Sequence, residues 1–372
     1  MEKRSHILLK LVPIMLAFFA MGFVDLVGIA TNYVKKDFEL SDSVANLFTS
    51  MVFFWFLVCS VPTGMLMNKI GRRKTVILSL VLTSVALIIP LIDYNLPLIL
   101  ISFSLLGISN AVMQVSLNPL LSNIVSDKRL SSALTFGQFV KAIAAFTAPI
   151  IAAWGALHFN NWRLLFAVYL VEGVIAAAAL SFEKIKEEEM TGRASTFKEC
   201  FSLLGDTTVL LCFIGIVCHV GIDVGTNVSA PRIIMDKLGL SLTEAGYATS
   251  VYFLFRTMGC LAGTFILANF STRRFYAVSI FLLAAGMLGL LLFACIALIG
   301  FNNANLFPIM FSQAILHLPE KKNEISGLMI MGIFGGAVFP LLMGFASDLF
   351  GSQNGAVAIM GLGVVYLLSV IR

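Results

Sequence analysis

The chain has 372 residues, of which 59% are hydrophobic and only 12% are charged. A soluble domain carries roughly twice that charged fraction, so the composition excludes an ordinary soluble protein and indicates long apolar membrane helices. The net charge of +5 follows from the way basic residues are distributed between the ends of these helices, so it does not indicate nucleic-acid binding.

Twelve apolar runs follow one another along the chain, each near or above the ~20 residues that a helix needs to cross a bilayer. The first run follows a basic N-terminal segment and contains no small-residue cleavage site, so we expect it to remain as a helix and not to be a signal peptide. The sequence therefore predicts an all-α membrane protein with twelve transmembrane helices. The predicted spans are 8–33, 44–68, 75–92, 97–125, 132–157, 162–182, 207–235, 243–268, 274–292, 295–318, 325–347 and 353–371.

Basic residues are distributed unequally between the two sides that these spans define. Eighteen of the 25 lysines and arginines lie in the tails and in the loops on the same side as the tails, five lie on the opposite side, and Lys141 and Arg256 fall inside spans. Positive residues accumulate in cytoplasmic loops. We therefore predict a multi-pass protein of a bacterial-type inner membrane with both termini in the cytoplasm.

The two halves of the chain resemble each other at an offset close to 200 residues. Asp25 lies between Gly22 and Gly28, as Asp223 lies between Gly221 and Gly225, and a pair of arginines follows in each half. A polar stretch separates the halves. We predict an N-terminal six-helix bundle at 1–182, a cytoplasmic linker at 183–205 and a C-terminal six-helix bundle at 206–372, related by pseudo-symmetry. Repeats of this kind place a substrate site near the middle of the membrane.

Five ionisable residues lie inside the predicted spans and require a reason, because burying a charge in a membrane is costly. They are Asp25, Lys141, His219, Asp223 and Arg256. His219 precedes Asp223 by one helical turn, so both lie on one face and are candidates for sharing a proton. Two interpretations remain open: Asp25–Lys141 and Asp223–Arg256 are structural ion pairs, or these residues face a water-filled cavity.

Neutral amides form a second group of candidate site residues. Side-chain amides both donate and accept hydrogen bonds, which suits ligands rich in hydroxyl groups. They recur at helical spacing in several spans, at Asn110, Gln114, Asn118, Gln138, Asn227, Asn302 and Asn305.

Several kinds of protein are excluded by what the sequence lacks. No phosphate-binding loop is present, so ATP is not the energy source, and no protease or hydrolase motif occurs, so we expect no enzyme activity. The four histidines are too dispersed for a metal site, and the six cysteines are predicted to be free thiols, most of them buried. We expect no cofactor.

The segment 64–74 after the second span reads GMLMNKIGRRK. It resembles the signature loop of the major facilitator superfamily, with Asn68 in place of the usual aspartate. The resemblance implies two six-helix bundles that alternate access, and a loop that latches the halves in the outward-open state. It assigns the role of a conformational gate to Gly64, Asn68, Gly71, Arg72 and Arg73.

Within that superfamily, the fourth span resembles the fucose permease branch of sugar–proton symporters. The branch has an acidic residue followed by Asn-Pro, and here the corresponding positions are Gln114 and Asn118-Pro119. The resemblance implies that the helices carrying the ionisable residues and the amides line a cavity. We expect Glu172, in the sixth span, to have a packing or interface role instead.

These observations predict a secondary transporter that moves a small polar solute by alternating access. The favoured substrate is a sugar in symport with protons, with Asp25, His219 and Asp223 as coupling residues and the amides, Lys141 and Arg256 as the substrate site. A carrier of a sugar acid or other organic anion, a sodium-coupled carrier or uniporter, and a non-transporting sensor remain open. The expected partners are the substrate, a proton and the lipid bilayer, and we expect a monomer.

Overall fold

The computed structural model describes the chain except residues 1, 41, 184, 186, 188–194, 240–241, 290–292, 351 and 371–372. It also leaves undescribed the side chains of residues 2–9, 28, 32, 42–50, 228, 231–232, 234, 236–238, 242–249 and 293–294. The described residues form helices joined by short turns.

Six helices form the first half of the chain. They are α1 (Glu2–Met21, a 3₁₀ turn at Gly22–Asp25, then Leu26–Asp37), α2 (Asp42–Ile70), α3 (Arg72–Ile92), α4 (Leu96–Leu121), α5 (Leu130–Phe159) and α6 (Leu164–Phe182). A short helix at Phe197–Ser202 follows.

The second half contains the other six. They are α7 (Thr207–Leu238), α8 (Leu242–Asn269), α9 (Thr272–Leu288), α10 (Phe293–Asn303 and Leu306–His317), α11 (Lys322–Met331, a 3₁₀ turn at Gly332–Phe334, then Gly335–Phe350) and α12 (Asn354–Ser369).

Ten stretches of the described chain are long and apolar enough to cross a membrane. The two remaining helices, α9 and α12, have 17 and 16 residues. The all-α membrane fold predicted from the sequence is confirmed, and the helices are consistent with twelve crossings. Helix ends agree with the predicted spans to within a few residues, apart from the longer ends of α1.

Three helices that the sequence predicts as continuous are interrupted. The 3₁₀ turn of α1 lies where Gly22 packs against α5, and a Cβ atom at Gly22 would lie only 2.5 Å from the carbonyl oxygen of Lys141. Only glycine allows this approach. The interruption of α10 lies at Ala304 and Asn305, where the Asn305 amide donates to the carbonyl oxygen of Gly259 on α8 at 3.1 Å.

The first compact unit consists of Met1–Asp127, Gly137–Phe201 and Glu320–Met331. Within it, α3 packs against α4 and α6, α2 packs against α4, and α1 packs against α6. The beginning of α11 packs on α2 and α4 and therefore belongs to this unit. The division predicted from the sequence had assigned that segment to the second bundle.

The second compact unit consists of Lys128–Phe136, Ser202–Pro319 and Gly332–Arg372. Helix α7 is its centre, with contacts to α8, α10, α11 and α12. The first residues of α5 belong here because Ser131 bonds to Ser312 at 2.5 Å and Ser132 donates to the carbonyl oxygen of Thr264 at 2.6 Å. The chain passes between units within α11, at its 3₁₀ turn.

Candidate functional site

The first unit contains one of the two ion pairs that the sequence suggests. Lys141 Nζ on α5 lies 4.0 Å from Asp25 Oδ2 at the end of the 3₁₀ turn in α1. The Asp25 side chain is 44% exposed and that of Lys141 is 19% exposed, so the carboxylate is accessible while it is paired. The close packing of Gly22 on α5 brings these two residues together.

The amides of α4 lie side by side but are almost fully buried. The Gln114 amide donates to Asn110 Oδ1 at 2.7 Å, and the Asn110 amide donates to the carbonyl oxygen of Met21 on α1 at 2.6 Å. The Asn118 amide donates to the carbonyl oxygen of Gln114 at 2.8 Å. In this structure, therefore, the Asn110 amide holds α4 against the end of the first segment of α1, and the other two amides bond within α4. Gln138 on α5 is part-buried, and its Nε2 is buried without a hydrogen-bond partner.

The second unit contains the other ion pair, and its geometry is tighter. Arg256 Nε on α8 lies 3.1 Å from Asp223 Oδ1 on α7. The same oxygen accepts a short hydrogen bond from the Tyr252 hydroxyl group, one turn before Arg256 on α8. The Asp223 side chain is 14% exposed, so a cation and a phenol stabilise a partly desolvated carboxylate.

His219 is connected to Asp223 indirectly. Its Nδ1 lies 2.8 Å from Asn303 Oδ1 on α10, and the Asn303 amide reaches the Tyr252 hydroxyl oxygen at 3.3 Å. No hydrogen bond or ion pair joins His219 and Asp223, although both lie on one face of α7. Their spacing suggests a direct contact between His219 and Asp223. In the structure they are joined instead by a hydrogen-bonded chain of four side chains, in the order His219, Asn303, Tyr252 and Asp223.

The remaining predicted amides of the second unit are used mainly within their own helices. Asn227 donates to the carbonyl oxygen of Asp223 at 2.9 Å, and Asn302 donates to that of Leu298 at 2.8 Å. Asn305 joins α10 to α8. Asn302 and Asn305 are buried, whereas Asn227 is part-buried.

Asn68 and Arg72, two of the predicted gate residues, form a polar cluster with the beginning of α11, inside the first unit. The Asn68 amide donates to Glu324 Oε1 at 2.7 Å and to Ser195 Oγ at 2.8 Å, and Ser195 itself donates to Glu324 Oε1. Asn323 donates to Asn68 Oδ1 at 2.6 Å. We call these residues, together with Arg72 and Asn123, the Asn68 cluster. Its carboxylate comes from Glu324, in place of the aspartate that the signature loop usually has at position 68.

Arg72 is the cationic member of this cluster. Its Nε donates to Asn323 Oδ1 and its Nη1 to Asn123 Oδ1, both at 2.6 Å. Gly71 precedes it with φ of 87°, which starts α3 in a conformation that favours glycine. Gly64 packs against α11, where a Cβ atom would lie 2.7 Å from the Asn323 carbonyl oxygen.

The linker carboxylate of Glu187 caps the beginning of α3. It accepts the backbone N–H groups of Arg72 and Arg73 at 2.7 and 2.8 Å, where the positive end of the helix dipole stabilises an anion. The Arg73 side chain donates to the last carbonyl oxygens of α6 at Leu180 and Ser181. These contacts join the loop, the linker and α6.

Four functional candidates were missed by the sequence reasoning. Tyr252 and Asn303 complete the His219–Asp223 network, and Glu324 supplies the carboxylate of the Asn68 cluster. Glu172 is the fourth, and both of its carboxylate oxygens are buried without hydrogen-bond partners. An acidic residue at the start of α11 and one inside α6 were visible in the sequence, but their surroundings were not.

All six cysteines are free thiols, four of them buried. Among the described residues, no group of three or more His, Cys, Asp or Glu side chains is arranged to hold a metal ion.

Comparison with known proteins agrees with this architecture. The family model of the Major Facilitator Superfamily matches residues 14–227 and 211–372. A glucose/galactose transporter of Brucella abortus is 24% identical over 368 residues, covering 92% of this chain and 88% of that protein. The L-fucose-proton symporter of Escherichia coli is 21% identical over 371 residues, covering 86% and 82%. The crystal structure of the E. coli fucose:proton symporter has a TM-score of 0.83 at 16% identity, with 97% of both chains covered.

Proposed function

Since the chain belongs to the Major Facilitator Superfamily, we propose that it is a secondary transporter that carries a sugar in symport with protons, by alternating access between the two sides of the membrane. The relatives described above transport glucose, galactose or fucose, and the fucose transporter among them is a proton symporter. These names support a sugar as the substrate class of this chain.

The balance of charges inside the membrane favours a sugar over an organic anion as the substrate. The two bases that lie deep inside the predicted spans each have an acid within their own unit, Lys141 with Asp25 and Arg256 with Asp223. These four charges cancel, so the two pairs leave no surplus positive charge to offset an anionic ligand in a medium of low dielectric constant. A neutral, hydroxyl-rich ligand fits this arrangement better than a sugar acid.

Side chains that keep some exposure are our candidates for direct contact with the sugar. They are Gln138, Lys141, Asn227 and Arg256. Several amide atoms have no protein partner, among them Gln138 Nε2, Asn227 Oδ1, Asn118 Oδ1 and Asn305 Oδ1. Open hydrogen-bonding positions of this kind favour a polyhydroxylated ligand. Asn110, Gln114 and Asn118 in the first unit and Asn302 and Asn305 in the second are candidates as well, but each is buried within its own unit and becomes accessible only if the surrounding helices move apart.

Asp25, His219 and Asp223 remain our candidates for coupling. In each ion pair a proton competes with a cation for the carboxylate, so coupling through Asp25 or Asp223 requires the pair to open during transport. Alternating access supplies such an opening. Gly64, Asn68, Gly71, Arg72 and Arg73 form the gate in this proposal, with the Asn68 cluster closed in the structure described here.

The proposed location is the inner membrane, with both termini in the cytoplasm, on the strength of the charge distribution. We further propose a two-bundle architecture divided by the linker at 183–205, working as a monomer.

The decisive experiment is uptake into proteoliposomes that contain the purified protein, with labelled glucose, galactose and fucose. At one proton per sugar, an inward proton gradient of one pH unit should sustain about a tenfold accumulation, because 1.4 kcal/mol corresponds to a factor of ten. Gluconate and glucuronate should compete weakly. Strong competition by these acids would favour the anion carrier, and sugar binding without counterflow would favour a sensor.

A further inference from the structure

Glu172 differs from Asp25 and Asp223, the two carboxylates described above inside the predicted spans. It lies in the middle of α6, and both Oε1 and Oε2 are buried without a hydrogen-bond partner. Asp25 and Asp223 each have a basic partner, whereas no described base lies within ion-pair distance of Glu172. An ionised carboxylate desolvated in this way, without compensation, would cost several kcal/mol. The surroundings therefore accommodate the protonated carboxyl group.

The neighbours of Glu172 on α6 connect this helix to the segment of α1 that carries Asp25. Gly173, the residue after Glu172, packs against the Phe23 ring, because a Cβ atom at Gly173 would lie 3.7 Å from that ring. Phe23 belongs to the 3₁₀ turn of α1 that ends at Asp25. The Phe23 ring stacks on Tyr169, with centroids 4.1 Å apart. Tyr169 lies one turn before Glu172 and within electrostatic range of both Asp25 and Glu172.

The ionisable groups on the helices that pack against α6 define the electrostatic setting. Helix α1 contributes Asp25, α5 contributes Lys141, which is engaged by Asp25, and α6 itself contributes Tyr169. Helix α3 has its charged residues at its beginning, in the segment 72–74, and none further along. The Tyr169 hydroxyl group donates to the carbonyl oxygen of Ala144 at 2.5 Å, so it is committed elsewhere.

We propose that Glu172 is a further binding site of the coupling proton, in addition to the candidates Asp25, His219 and Asp223, an inference that rests on the sugar–proton symport proposed above. The empty carrier binds one proton on the Glu172 carboxylate, which becomes a neutral carboxyl group buried inside the first unit. Release requires water to reach Glu172. Displacement of the 3₁₀ turn of α1 moves Phe23 and Asp25 together, so ligand contact at the Asp25–Lys141 pair and hydration of Glu172 are mechanically linked.

This assignment replaces the packing role that the sequence suggests for Glu172. It adds a second carboxylate to the coupling proposal. Asp25 has to leave Lys141 before it can take up a proton, whereas Glu172 has no described cation competing for its proton.

The first experiment is chemical and does not depend on transport. Dicyclohexylcarbodiimide reacts with protonated carboxyl groups in apolar surroundings, and peptide mass spectrometry of the full-length protein locates the adduct. We expect an adduct at Glu172 that disappears in Glu172→Gln and decreases as the pH rises. Glu183, at the end of the same helix, is the matched control and should remain unlabelled. An unlabelled Glu172 in folded protein would overturn the proposal.

The second experiment uses proteoliposomes with galactose, glucose and fucose. Glu172→Gln, which mimics the protonated state, should keep counterflow and lose the roughly tenfold accumulation driven by a gradient of one pH unit. Glu183→Gln should keep both, and Glu172→Asp should recover part of the accumulation. If Glu172→Gln accumulates sugar like the wild type, Glu172 is not the proton site, although the symport proposal stands. If the wild type accumulates none of the three sugars, the symport proposal fails, and carbodiimide labelling still decides whether Glu172 binds a proton.

Discussion

Restoring the aspartate of the signature loop should damage this protein. The Asn68 amide donates to Glu324 Oε1 at 2.7 Å, and Glu324 is only 4% exposed. Asn68→Asp removes that donor and puts a second carboxylate beside the first. A hydrogen bond to a charged group contributes about 1.5–3 kcal/mol, and two like charges 4 Å apart repel by about 4 kcal/mol at an effective dielectric constant near 20.

Proton uptake provides an independent limit on this cost. A carboxyl group with an ordinary pKa near 4.3 takes up a proton at pH 7 for about 4 kcal/mol, at 1.36 kcal/mol per pH unit. We therefore expect Asn68→Asp to lower the free energy of unfolding by about 4 kcal/mol at pH 7. The deficit should shrink at pH 5, where protonation costs only about 1 kcal/mol.

The measurement is denaturant unfolding in detergent, combined with counterflow in proteoliposomes. Asn68→Asp with Glu324→Gln should recover most of the loss, because the new amide donates to the new carboxylate. Asn123→Asp is the matched control, since it adds the same charge to the cluster but faces Arg72, and the Asn123 amide nitrogen has no partner to lose. If Asn68→Asp alone is as stable as the wild type, or if Glu324→Gln brings no recovery, the Asn68–Glu324 contact is not a stabilising one.

Three further predictions follow from the ion pairs, the topology and the beginning of α7. Arg256→Ala should destabilise the protein by about 2–3 kcal/mol by leaving the Asp223 carboxylate without its cation, and the double variant with Asp223→Asn should recover part of the loss in thermal unfolding. In a cysteine-free background, Lys74→Cys should resist an impermeant thiol reagent added to intact cells and react after permeabilisation, because the charge distribution places it in the cytoplasm. The pKa of Asp206, the N-cap of α7, is lowered by backbone N–H groups of the first helical turn and by the His317 ring at 3.1 Å. Asp206→Ala should therefore cost about 1 kcal/mol at neutral pH, with the difference fading as the pH falls through the lowered pKa of Asp206, because only the ionised carboxylate makes these contacts fully.

Each of these three predictions would be contradicted by a specific result. Equal stability of Arg256→Ala and the wild type would mean that Asp223 finds another partner. Ready labelling of position 74 from outside would reverse the orientation. A constant difference between Asp206→Ala and the wild type across the acidic range would show that the neutral carboxyl group of Asp206 stabilises α7 as much as the ionised one does.

The sequence alone was sufficient to predict the features that depend only on the type and order of residues along the chain. Apolar runs of sufficient length predicted the helices, because a bilayer requires a continuous stretch of apolar residues whatever the neighbours are. The ion pairs at Asp25–Lys141 and Asp223–Arg256 were among the predicted alternatives for the same kind of reason, since a buried charge needs an opposite one. The resemblance of segment 64–74 to the signature loop assigned it the role of a gate, which stays a prediction.

Helix rotation and packing decided the rest. Asn302 and Asn303 are neighbours in the sequence, yet only Asn303 reaches His219 and Tyr252, because consecutive residues of a helix point about 100° apart. Glu324 became the carboxylate of the Asn68 cluster from 256 positions away, which no local pattern could indicate. Glu172 was visible as an acid in an apolar run, but whether its oxygens have partners depends on the side chains that α1, α3 and α5 turn toward it. That is a property of packing, and so only the tertiary structure could separate a carboxyl group without partners from a paired one.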